Sequence, residues 1–75
     1  MNIEHLTKMA NEIARFYEAY PDHAEAQREI AAHLQRFWDP RMRRQIIDHV
    51  ANGQGVGLAP LALDAVRQLV PPAAA

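Results

Sequence analysis

The pair Asp39-Pro40 constrains this chain more than any other feature. Asp39 can cap a helix, because its carboxylate accepts a hydrogen bond from a backbone N–H that the first turn leaves unpaired. Pro40 suits the first helical position, where a missing N–H costs nothing and φ is already set. A residue before proline is pushed out of the α region, so one helix stops near Trp38 and another starts at Pro40. The surrounding stretch, Arg36 to Arg44, holds the single tryptophan and four arginines. A chain with a hard stop at its middle folds back there.

Seventy-five residues make one small domain that buries about 60–65% of its unfolded surface. No cysteine is present, so neither disulfides nor thiolate-bound metal can brace it. Its stability has to come from helix packing or from a partner. A net charge of −1 and a single lysine argue against nucleic acid and anionic lipid as partners. No apolar run reaches the ~20 residues that span a bilayer, and the start, Met1 to His5, lacks the pattern of a signal peptide. The expectation is a cytoplasmic protein, with no membrane and no nucleic acid among its partners.

Around the central stop, the spacing predicts an all-α fold, a small bundle of four short helices in one domain over residues 1–70, followed by a disordered Pro/Ala tail over 71–75. Asn2 caps a first helix running to about Tyr20, with Leu6, Met9, Ala10, Ile13, Phe16, Tyr17 and Tyr20 on its inner face. Asp22 and Glu25 have capping-box spacing for a second helix to about Trp38, lined inside by Ala26, Ile30, His33, Leu34 and Phe37. The third helix runs from Pro40 to Asn52-Gly53, a pair suited to a left-handed cap, with Met42, Ile46, His49 and Val50 inside. Residues 53–57 read as a flexible loop. A fourth helix opens near Pro60 and is stopped by Pro71-Pro72. Leu58, Leu61, Ala62, Ala65, Val66 and Leu69 share one side of it, while Leu63 and Val70 point elsewhere.

Little here suggests catalysis. His5, His23, His33 and His49 have no ligand spacing, although His33 and His49 border adjacent inner faces and could meet; no metal ligands are expected. The glycines of the 53–57 loop follow a helix and precede no lysine, unlike a phosphate-binding turn. Thr7, the only Ser/Thr hydroxyl, has no obvious activating base, so no catalytic and no cofactor-binding residues are assigned.

The arginines carry the functional reading. Arg41, Arg43 and Arg44 occupy the first turns of a helix, where the positive end of the dipole disfavours cations. They form either a solvated basic face or a surface for carboxylates, phosphates or carbonyls of another molecule. Trp38 reads either as core or as an interface anchor. The partner-binding set is therefore Arg36, Trp38, Asp39, Arg41, Met42, Arg43 and Arg44, with the first or fourth helix as a second face.

Several of these residues occur together in one known family. Asn2-Ile3-Glu4-His5-Leu6, Met9-Ala10-Asn11, Ile13, Pro21-Asp22, His33-Leu34, Phe37-Trp38-Asp39-Pro40-Arg41-Met42-Arg43 and Gly57-Leu58-Ala59-Pro60-Leu61 resemble the delta subunit of NAD-dependent formate dehydrogenases. The likeness extends to about Val70 and is most specific in the Phe37–Arg43 block. Ala59 departs from it, standing where a serine cap is expected. The resemblance implies a non-catalytic accessory subunit of a cytoplasmic molybdenum- or tungsten-dependent enzyme, docked on the large catalytic subunit and its companions. It also implies that bis-molybdopterin guanine dinucleotide, iron–sulfur clusters, FMN and NAD are held by the other subunits, with none bound by this chain. A transient maturation chaperone for the apo-enzyme or its molybdopterin cofactor is the alternative.

Overall fold

The computed structural model describes residues 2–72. Helices α1 (Ile3–Tyr17), α2 (His23–Phe37), α3 (Pro40–Gly53) and α4 (Pro60–Val66) follow one another, with no strand among the described residues. The expected start signals are used. Asn2 Oδ1 accepts from the Glu4 N–H at 2.8 Å, and Asp22 Oδ1 accepts from the N–H groups of Ala24 and Glu25. Asp39 Oδ1 accepts from the Met42 N–H at 3.0 Å, with Pro40 in the first turn.

Each side-chain cap satisfies a donor that the helix itself cannot. The helix ends differ from expectation. α1 stops at Tyr17, not Tyr20, and its chain closes through bonds three residues apart, Glu18 N–H to Arg15 O and Tyr20 N–H to Tyr17 O. Pro21 excludes Tyr20 from the α region, so the tightened turn is the remaining solution. α4 ends at Val66, well before Pro71, and the same three-residue bonding over Gln68 and Leu69 keeps Leu69 buried.

The left-handed residue after α3 is Gln54 (φ 61°), not Asn52 or Gly53. Gly53 stays in the helix under the His49 ring: a Cβ there would lie 3.1 Å from His49 Nδ1. Gly55 (φ 68°) is buried on α4, where a Cβ would fall 2.5 Å from Leu63 Cδ1. Leu63 is accordingly half-buried against the loop, while Val70 is exposed.

α1 packs against all three other helices, and α4 lies mainly on α2. The core unites Leu6, Ala10, Ala14, Ala26, Ile30, Leu34, Trp38, Ile46, Leu61, Ala62, Ala65, Val66 and Leu69. Five of its thirteen residues are alanines, which let the helix backbones approach closely and leave little room for added volume.

The 53–57 loop is held rather than loose. Asn11 Nδ2 donates to Gly57 O and Asn11 Oδ1 accepts from the Ala59 N–H, both at 2.8 Å, while His49 Nε2 donates to Val56 O at 2.7 Å. Asn11 thus pairs the Ala59 N–H and the Gly57 carbonyl across the fold, while the first turn of α4 has no side-chain cap because Ala59 carries no acceptor. Asn11→Ala removes both bonds and is expected to lower the unfolding free energy by about 2 kcal/mol. Urea unfolding followed by circular dichroism checks this; a change under about 0.5 kcal/mol means that the bracket does not hold the loop.

Candidate functional site

At the corner between α2 and α3 the backbone leaves the helix at Trp38 (φ −82°, ψ 138°), and its indole enters the core with 5% of its surface exposed. Trp38 is therefore not a surface anchor. Phe37, expected inside, is 67% exposed. The neighbours exchange roles because the extended backbone imposed just before Asp39-Pro40 turns Trp38 inward and leaves Phe37 on the last helical turn.

The arginines separate as well. Arg43 Nη1 donates to Trp38 O and, at 3.4 Å, to Gln35 O. The guanidinium meets carbonyls at the negative end of the α2 dipole, so Arg43 joins α3 to the end of α2. Its Nε is buried without an acceptor. Asp39 is occupied as the α3 cap, and Met42 is half-buried against the core. Of the seven residues assigned to partner binding, Arg36, Asp39, Arg41 and Arg44 are exposed, and among the described residues no ion pair engages the three arginines.

The largest departure from the sequence reading lies across α1 and α2. Phe16 is 77% exposed and Tyr20 36%, although both fall on the broad apolar stripe of α1. Ala14 faces the core, and Phe16 lies about 200° further round the helix. Ile13, Phe16, Tyr17 and His33 line a notch of about 240 Å³ that is almost wholly apolar. A second notch of about 150 Å³ adjoins it, sharing Tyr17 and His33 and adding Glu29, Ala32, Arg36 and Phe37. The rings pair locally: Phe16 with Tyr17 at 5.3 Å, Tyr17 with Tyr20 at 5.2 Å, and His33 with Phe37 at 4.8 Å.

Desolvation, then Glu29, Tyr17 and Glu25, raise the Tyr20 hydroxyl above its ordinary value. Phe16 and Phe37 thus stand exposed at two adjoining notches that share Tyr17 and His33. The width of the α1 stripe, greater than one core-facing side requires, is the sequence signal that points to this exposure.

Elsewhere the polar groups serve the fold. Asp64 on α4 accepts from His23 Nε2 (3.3 Å) and Gln27 Nε2 (3.2 Å) on α2 and pairs with Arg67 at 3.5 Å, while Gln68 Nε2 donates to Gln27 Oε1. His33 and His49 do not meet, each being engaged at its own end of the bundle. Among the described residues, no three His, Asp or Glu side chains are grouped to hold a metal ion, and no helix is long and apolar enough to cross a membrane.

Fold and surface together define a small helical protein built around a close-packed alanine-rich core, with exposed aromatic rings on α1 and α2. A family model described as the NADH-dependent formate dehydrogenase delta subunit, FdsD, matches residues 5–66, and the chain belongs to that family. No curated protein and no solved structure matches it.

Proposed function

We propose that the chain is a non-catalytic accessory subunit of a cytoplasmic formate dehydrogenase, docking on the large catalytic subunit through the aromatic face of α1 and α2. The observation that carries this reading is the exposure of Phe16 and Phe37 beside Tyr17 and His33. Burying such rings against a partner is worth about 1.5–3 kcal/mol each. Arg36, at the edge of the face, and Arg41 and Arg44 on α3 add sites for carboxylates or carbonyls of the partner. Docking favours whichever conformation of the large subunit it contacts, which supports assembly or cofactor retention by mass action.

In this reading the molybdenum or tungsten with its bis-molybdopterin guanine dinucleotide, the iron–sulfur clusters, FMN and NAD belong to companion subunits. The chain has no cysteine to hold an iron–sulfur cluster, and among the described residues no three His, Asp or Glu side chains are grouped to hold a metal ion.

Co-expression of the tagged chain with its companion subunits, followed by chromatography with mass analysis, tests the proposal. Co-elution with active enzyme at fixed stoichiometry is the expected result. Elution alone, or with cofactor-free enzyme only, replaces the subunit reading with that of a transient maturation chaperone.

A further inference from the structure

The exposed face of α2 has a charge order of its own. Glu29 and Arg36 lie on the same side of the helix and both line the notch with His33 and Phe37, and among the described residues neither makes an ion pair. They stand seven residues, or about 10 Å, apart along the axis. The midpoint between them falls at Ala32 and His33, and Ala32 is exposed and small. A two-fold interface is self-complementary when opposite charges lie equidistant from its axis, so that each copy presents what the other lacks. The α2 face meets that condition. We infer that the isolated chain forms a two-fold dimer through this face, with α2 of each copy antiparallel, Glu29 facing Arg36 of the second copy, Ala32 near the axis and the flanking Phe16 and Phe37 covered.

Such a dimer is weak. A standard interface takes about 800 Å² per partner, roughly one-sixth of the 4942 Å² surface of this protein. A dissociation constant on the order of 100 µM is expected, because only the surplus over the cost of ordering two chains appears as affinity. The dimer uses the face assigned above to docking, so the free subunit shields its rings by self-pairing until a companion displaces the second copy. The inference goes beyond the docking proposal and does not depend on it.

Sedimentation equilibrium of the isolated full chain, from 10 µM to 1 mM, is the test. The mass is expected to rise from 8.5 kDa toward twice that value. Glu29→Arg and Arg36→Glu each place like charges opposite one another twice per dimer and are expected to weaken association about ten-fold. The double charge swap within one chain restores complementarity and the wild-type dissociation constant.

Because the chain has no cysteine, Ala32→Cys gives an independent readout. It should form an oxidative cross-link at least ten-fold faster than Ala51→Cys on the exposed side of α3. A monomer throughout the range, single variants that dimerise like wild type, a double swap that fails to restore, or equal cross-linking at the two positions overturns the inference. A strict monomer leaves the face to the companion subunit alone.

Discussion

Trp38→Ala is expected to lower the unfolding free energy by about 3–5 kcal/mol, the usual loss when a buried tryptophan is truncated and its cavity only partly collapses. A 75-residue domain has a total of about 4–11 kcal/mol to lose. The variant therefore sits near the edge of folding, with its thermal midpoint down by about 15–30 °C. The reason is local: the indole fills the corner where α2 gives way to α3, and Arg43 donates to the carbonyl of that same residue. Truncation thus loosens a packing contact and an inter-helix tie together. Calorimetry of the isolated chain decides the matter. A loss below about 1 kcal/mol means that the side chain is not core, and Trp38 returns to the set of surface anchors.

Phe16→Asp combined with Phe37→Asp is expected to act in the opposite way, sparing stability and destroying association. Both rings are mostly exposed, so unfolding should change by no more than about 0.5 kcal/mol. If each ring is worth about 2 kcal/mol to docking, losing both weakens the complex by roughly a thousand-fold. Co-purification with the large subunit should then vanish from a chain that still folds. Arg41→Glu with Arg44→Glu is the companion experiment, with an expected loss nearer ten-fold because these cations stand in solvent. If the arginine pair abolishes binding and the aromatic pair does not, the docking face is α3 and the role given to α1 and α2 is wrong.

Local chemistry made much of the fold readable from the sequence. Asn2, Asp22 and Asp39-Pro40 act within a few residues of themselves, and all three start helices where expected. What lay beyond reach depended on distant contacts. Nothing near Asn11 in the chain reveals that it brackets Gly57 and Ala59. Periodicity put Phe16 and Phe37 inside, because it records how apolar a helix is and not how much of that width neighbouring helices can cover. Arg43 and Arg44 look alike in the sequence; only the path of the chain out of α2 makes one a tie between helices and leaves the other on the surface. The family block around Phe37–Arg43 is therefore largely the architecture of a corner: the fold accounts for Trp38, Asp39, Pro40, Met42 and Arg43, and leaves Phe37 and Arg41 on the surface.

Asn11 also bears on the order in which parts of the fold can close. Its two bonds span 46 and 48 positions, and α4 packs on α1, α2 and α3. Until those distant segments meet, the alanines of α1 and α2 lack the surface that covers them. Loop closure of that length has to be met before these contacts reward it, which places the bracket among the slower-forming parts of the fold.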